Sequence, residues 1–258
     1  MKKTFFFKTF QASLLAIFLI LASCAHSQKT NKKADQAKLY LQIANSYLDH
    51  YKLPDALSTF IQAQKLTPDS PEVYNGLGVT YMLLKKYQLS EKNFKKALSL
   101  SPGFTDTRNN MARLYIEQGQ FMRALKQLEI AKADLTYSSP DTIQFLYGLI
   151  AFKTKKYKKA QLFLGRVHKK NPMHCETSLN LGRTLYFRGL YENSLPVYDS
   201  AIKHCASNYA PSLNYFKALS YIKLNKSLLA KTHLNNILFT NPNSDWAQRS
   251  KKRLSRLK

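Results

Sequence analysis

Apolar and small residues recur along this chain at three- and four-residue intervals, the spacing of amphipathic helices, from Tyr40 to Leu257. The pattern itself repeats. With Pro68 and Pro102 set in register, 34 residues apart, one unit covers 37–70 with Tyr40, Ile43, Ala44, Tyr47, Ala56, Phe60, Ala63 and Pro68. The next, 71–104, places Tyr74, Leu77, Gly78, Tyr81, Tyr87, Ser90, Phe94, Ala97 and Pro102 in the same pattern. Unit 105–138 carries Met111, Ala112, Tyr115, Gly119, Phe121, Ala124, Leu128 and Ala131. Two extra residues precede 141–174, with Tyr147, Gly148, Ala151, Tyr157, Ala160, Leu164, Val167 and Pro172. Unit 175–208 shows Leu181, Gly182, Leu185, Gly189, Tyr191, Ser194, Tyr198 and Ala201, and unit 211–244 shows Ala218, Tyr221, Ala230, Leu234, Ile237 and Pro242. Small residues at unit positions 8 and 20 let two helices approach, large ones fill the space around them, and the late proline stops the second helix.

This 34-residue helix–turn–helix pattern resembles the tetratricopeptide repeat. The resemblance implies an all-α fold, a right-handed superhelical solenoid of six repeats over 37–244. Such units bury their apolar faces only by stacking, so the ends need caps. Residues 245–258, with Trp246, Ala247, Leu254 and Leu257 at helical spacing, are expected to form a basic capping helix. In arrays of this kind the first helix of each unit lines the concave surface. The inward positions here are Leu41, Leu48, Val79, Met82, Asn109, Arg113, Ile116, Phe145, Leu149, Phe152, Leu179, Arg183, Tyr186, Tyr215, Leu219 and Ile222. So apolar a row on a nominally exposed face predicts a protein-binding groove, unless packing within the array buries part of it.

The N-terminus sets location. A basic start (Lys2, Lys3, Lys8) leads into an apolar run from Ala12 to Ala22, the order of a secretory signal. The run is too short for the ~20 residues of a spanning helix. It ends in Leu21-Ala22-Ser23-Cys24, which resembles the lipobox of bacterial lipoproteins. The resemblance implies cleavage after residue 23, acylation of Cys24, and a multi-chain membrane anchor. The competing readings are an ordinary secretory signal or an uncleaved anchor. Ala25 rather than aspartate after the cysteine implies the outer membrane, with the array facing the periplasm. Residues 24–36 are expected to be a lipidated N-terminus and flexible linker.

The chain has 40 Lys and Arg against 15 Asp and Glu, a net charge of +25, and loss of the three lysines in 1–23 leaves +22. Such a balance suits anionic neighbours, but export argues against nucleic acid, and most lysines are spread as solvated helix faces. The tail is denser: Arg249, Lys251, Lys252, Arg253, Arg256 and Lys258. No nucleophile elbow, phosphate-cradling glycine loop or His-Glu-x-x-His is present, and no pair of acids stands out as an acid–base couple. The expectation is a binder with no enzymatic step, no cofactor and no resident metal. His174-Cys175 and His204-Cys205 mark the two ends of the fifth unit. Antiparallel helices bring such ends together, so a Cys175–Cys205 disulfide, free thiols and a Cys₂His₂ metal site all stay open.

Signal, linker and six repeats together resemble the type IV pilus biogenesis and stability lipoproteins, the pilotins. The third unit carries most of this. Asp106-Thr107-Arg108-Asn109-Asn110-Met111-Ala112 is similar to that family's Asp-Ala-Arg-Asn-Asn-Tyr-Gly, and Gln118-Gly119-Gln120-Phe121 to its Gln-Gly-Arg-Tyr. The insertion around Leu135-Thr136-Tyr137 also falls where the family has one. Many members carry a cysteine pair where this chain has Ile116 and Ile150, which is a departure. The resemblance implies a scaffold that assists assembly of the secretin, the pore through which the pilus leaves. The alternatives are a scaffold of outer-membrane protein assembly and an adaptor for peptidoglycan enzymes.

Overall fold

The computed structural model describes residues 32–205 and 209–257, and every regular element among them is an α-helix. Helix α1 occupies 32–49, followed by α2 (Leu53–Leu66), α3 (Pro71–Leu83), α4 (Tyr87–Leu100), α5 (Thr105–Glu117) and α6 (Phe121–Lys132). Then come α7 (Pro140–Lys153), α8 (Tyr157–Lys170), α9 (Cys175–Phe187), α10 (Tyr191–His204), α11 (Ala210–Lys223), α12 (Ser227–Thr240) and α13 (Asp245–Leu254). The chain divides into two compact blocks, one ending at Leu114 and one starting at Tyr115.

In the N-terminal block, Ala44, Ala56, Phe60, Ala63, Val73 and Leu77 form the core, with Tyr40, Leu41, Tyr47 and Leu48 packed around it. Small residues permit this. A Cβ on Gly78 would fall 2.5 Å from the ring of Phe94, so only glycine admits the aromatic side chain of α4. Ser90 crosses the same interface and donates to the Gly78 carbonyl at 2.7 Å, satisfying a buried hydroxyl. Successive repeats are tied by Asn75, whose side-chain oxygen accepts from Thr107 and Asn110 at 3.1 and 3.0 Å. One expectation needs correction here. Residues 32–36, read as linker, are helical. Ala34, Gln36 and the lysines are strong helix formers, and Ala37 is buried just beyond them.

The C-terminal block follows the same rule. Gly148 faces Leu164, and Gly182 faces Tyr198. Its last helix pair closes on Ala218, Ala230 and Leu234, against which Leu254 and Leu257 pack. Helix α13 starts at Ser244, whose side chain accepts from the Ala247 N–H at 3.1 Å.

All six turns inside the helix pairs share one backbone device. The fifteenth residue of each unit has positive φ: Tyr51, Lys85, Gly119, Lys155, Gly189 and Asn225. Its N–H bonds back three residues, as Lys85 does to Met82, and the next N–H bonds back five, as Lys86 does to Tyr81 at 2.8 Å. That is a helix-terminating Schellman-type turn, which satisfies carbonyls left over at the helix end.

Candidate functional site: an arginine held among aromatic rings

The first helices of successive C-terminal repeats touch one another, α7 with α9, α9 with α11, and α11 with α13. Along this series lies a connected set of rings. Phe152 meets Tyr157 and Phe187, each at 5.9 Å, and Tyr157 stacks on Phe187 at 5.4 Å. Tyr186 joins Phe187, Tyr191 and Phe216. Tyr215 and Phe216 then reach Trp246 at 5.3 and 6.1 Å. Phe187 is exposed, whereas Tyr186, Tyr215, Phe216 and Trp246 are half-buried, so the rings present a surface as well as a core.

Arg183 sits in the middle. Its guanidinium carbon lies 4.6 Å from the Phe152 ring centre and 4.9 Å from that of Phe216, a cation between two π faces. Burial pushes its pKa down, and the nearby Tyr198 and Tyr157 oppose that. Among the described residues the one polar side chain it engages is Asn180, at 3.4 Å, and Nε has no hydrogen-bond partner there. No carboxylate pairs with it among the described residues. A half-buried cation with donors to spare is chemically suited to a carboxylate or a backbone carbonyl from outside, flanked by apolar groups. Trp246 carries a second such contact, with Arg249 at 4.9 Å.

Of the two outcomes left open for the sixteen expected groove residues, packing within the array covers part of the row. Met82, Asn109, Ile116, Phe145, Leu149, Phe152 and Leu219 are buried, and the other nine are half-buried. The cause is packing between first helices: Phe145, only 2 % exposed, sets its ring edge-on against His174 at 5.3 Å. Phe152 is enclosed by Tyr157, Phe187 and Arg183. Asn109 is buried with neither amide atom hydrogen-bonded. In the C-terminal block Arg183, Tyr186 and Tyr215 do come together, and the sequence reading missed their partners Phe187, Phe216 and Trp246. The adjacent pairs Tyr186-Phe187 and Tyr215-Phe216 were the available signal, since two neighbouring helix positions cannot both point into one core.

Cys175 and Cys205 are joined in a disulfide across the ends of α9 and α10, with Cα atoms 5.7 Å apart. His174 serves as the cap of α9, accepting from the Thr177 N–H at 3.2 Å. The thiols are thus engaged with each other, and no cluster of potential metal ligands is found among the described residues. Cys24 and the signal segment lie outside the described residues.

Models of the tetratricopeptide repeat match residues 71–104 and 93–126. The chain carries tetratricopeptide repeats, in keeping with its all-α fold. Its sequence is similar to the type IV pilus assembly protein PilF of Pseudomonas aeruginosa, 23 % identical over 198 residues that cover 74 % of this chain and 79 % of that one. The solved structure of Pseudomonas aeruginosa PilF superposes with a TM-score of 0.65 at 19 % identity, covering 86 % of this chain and 99 % of PilF. PilW, a widely conserved type IV pilus biogenesis factor, gives 0.68 at 18 % identity, over 83 % of this chain and 97 % of PilW. A chain of the APC/C hetero-tetramer Cut9–Hcn1 gives 0.74 at 20 % identity, with 87 % of this chain on 44 % of that one. Shape alone therefore shows the repeat fold and does not separate pilus proteins from other tetratricopeptide arrays.

Proposed function

We propose that this tetratricopeptide chain is a scaffold of type IV pilus biogenesis, held on the outer membrane through an acylated Cys24, that binds the secretin subunit during its assembly. The observation that carries this reading is the sequence relation to PilF, which spans three quarters of this chain and most of PilF. The lipobox-like Leu21-Ala22-Ser23-Cys24 supports the anchor. Two or more acyl chains hold a protein on a bilayer almost permanently, at about 0.8 kcal/mol per buried methylene. The anchor fixes location, so the array itself need bind its client only transiently.

The client's binding place in this reading is the ring surface around Arg183. An apolar segment of an unassembled subunit would lie over Phe187, Tyr186 and Trp246 and offer a carbonyl or carboxylate to the guanidinium. Aromatic and arginine side chains dominate the energetics of such contacts. The reading contains no catalytic step.

A pull-down from detergent-solubilised envelope tests it, with wild-type protein beside a Phe187→Ala/Trp246→Ala double variant of equal helix content. Secretin recovered by wild type and strongly reduced with the variant is the expected result. Equal recovery would move the binding surface elsewhere, and recovery of cell-wall hydrolases or the outer-membrane assembly machinery without secretin would replace the function. The anchor is tested separately by mass: wild-type protein should carry acyl chains on Cys24, and Cys24→Ser should accumulate as unprocessed precursor that leaves the outer-membrane fraction.

A further inference from the structure

Charge is unevenly distributed in the fourth repeat. Between Asp141 and Glu176 the chain has no acid, yet it holds Lys153, Lys155, Lys156, Lys158, Lys159, Arg166, Lys169 and Lys170. Lys170 pairs with Asp141 at 2.8 Å. Lys155, Lys156, Lys158, Lys159, Arg166 and Lys169 are exposed, and none makes an ion pair among the described residues. Glu129 on α6 accepts a hydrogen bond from the Tyr147 hydroxyl of α7 at 2.6 Å.

The outward face of α8 is not uniformly polar. Leu162 stands between these cations and is 51 % exposed, and Met122 on α6 is 78 % exposed. Two depressions meet at Leu162. One, of about 420 Å³, runs between α6 and α8 over α7 and is lined by Met122, Leu125, Ile150 and Phe163, with Lys156 and Lys159 also on its wall. The other, of about 530 Å³, is bordered by Lys158, Arg166, Lys169 and Arg188 around Gly165. Gly165 has open space where a Cβ would be, so nothing roofs this cationic hollow.

We propose that this α8 face docks on the surface of an anionic phospholipid bilayer, the cations on headgroup phosphates and Leu162 with Met122 dipping toward the acyl region. Charge complementarity is the argument. Flexible lysines flanking a few exposed apolar side chains are the composition of an interfacial helix, since long basic stems can lay their methylenes on apolar surface while the charge meets phosphate. An acidic protein partner would use the charge but gives no reason for two large exposed apolar residues beside an unroofed cationic hollow. A comparable hollow in the N-terminal block, lined by Ile61, Leu89, Lys92 and Lys96, lacks the acid-free run: Glu91 lies on α4 and pairs with Lys95 at 2.9 Å. The docking face is separate from the Arg183 surface, so the proposal stands apart from the choice of pilus client.

The test uses the full chain reconstituted in vesicles, with a photo-crosslinking amino acid in place of Leu162 or, as the internal comparison, of Leu89. Vesicles are phosphatidylcholine alone or phosphatidylcholine with one-third phosphatidylglycerol. Lipid adduct at position 162 should rise several-fold with phosphatidylglycerol and exceed that at 89. It should fall several-fold in Lys158→Glu/Arg166→Glu/Lys169→Glu, with helix content unchanged by circular dichroism, and also at about 0.5 M salt, where the Debye length is only a few ångströms. Equal adduct in neutral and anionic vesicles, or at 89 and 162, would overturn the docking. So would protein adducts in place of lipid adducts when the same photoprobe is activated in native envelope, which would assign the face to an acidic protein.

Discussion

Gly182 on α9 lies so close to Tyr198 on α10 that a Cβ at Gly182 would sit 2.3 Å from the ring. Tyr198 is fully buried, with its hydroxyl unbonded, and has little room to retreat. Gly182→Ala should therefore cost about 1–3 kcal/mol of stability, the range for overpacking. Thermal melts check this. The cost should shrink in a Tyr198→Leu background, where the obstructing ring is gone; an unchanged cost would mean that helix α9 objects to alanine for another reason.

The inner turns carry strain that sequence engineering can remove. Lys85 and Lys155 hold φ of 59°, a left-handed conformation that costs a non-glycine residue roughly 1–2 kcal/mol. Glycine already occupies the same unit position at Gly119 and Gly189. Lys85→Gly and Lys155→Gly should each stabilise by about 0.5–1 kcal/mol, after allowing for glycine's greater freedom in the unfolded chain. Chemical denaturation midpoints should rise for both, and a fall in either would show that the lysine stem contributes more than the turn costs.

The disulfide between Cys175 and Cys205 closes a loop with a sequence separation of 30. Loop-closure entropy for that length predicts about 3–4 kcal/mol, with enthalpic terms shifting it either way. Reduction, or the double change Cys175→Ser/Cys205→Ser, should lower the melting temperature of the C-terminal repeats. Wild-type protein treated with reductant and the double serine variant should melt alike.

His233 gives a pH signature. Its Nδ1–H donates to Asn214 Oδ1 at 2.8 Å and its ring stacks on Tyr221. Burial first, then the charge of Lys217, lower its pKa from 6.5 to about 4, against the opposing pull of Asp199. Lys217 is itself paired with Asp199. Between those values the unfolded chain holds the extra proton, so stability rises with pH. The contribution is full above 6.5 and lost as pH falls toward 4. His233→Gln should flatten the melting-temperature profile between pH 6.5 and 4 relative to wild type; parallel profiles would remove His233 as the cause.

The fold was legible because its rule is local. Gly78, Ser90 and Phe94 announce a close helix pair by size alone, and the same sizes return every 34 residues. The surface was less legible. Position numbers say which side of a first helix Phe145 occupies, but not that His174, the residue capping α9, covers it. Exposure there depends on how neighbouring first helices approach, a contact between repeats that periodicity does not encode. Lys85 at positive φ was equally silent, since nothing in its residue type signals the left-handed turn that Gly119 and Gly189 advertise.

Arg183 offers the sharpest test of the candidate site. Its guanidinium lies between Phe152 and Phe216 without a carboxylate, so its charge adds no ion pair to the fold among the described residues. Methionine has a flexible stem that can fill the gap between the rings, but it carries no charge and no donors. Lysine keeps a charge and loses the planar face that stacks on both rings. If the site holds a client's carbonyl or carboxylate, Arg183→Met should weaken binding by about 2 kcal/mol, roughly 30-fold, while the melting temperature changes little. Arg183→Lys should fall between the two. Calorimetric titration with the purified client segment reads the affinity, and circular dichroism reads the fold. Wild-type affinity in Arg183→Met would reduce the guanidinium to a filler between rings. A large drop in melting temperature in both variants would instead give Arg183 a packing role, the aromatic faces needing the guanidinium plane more than any partner does.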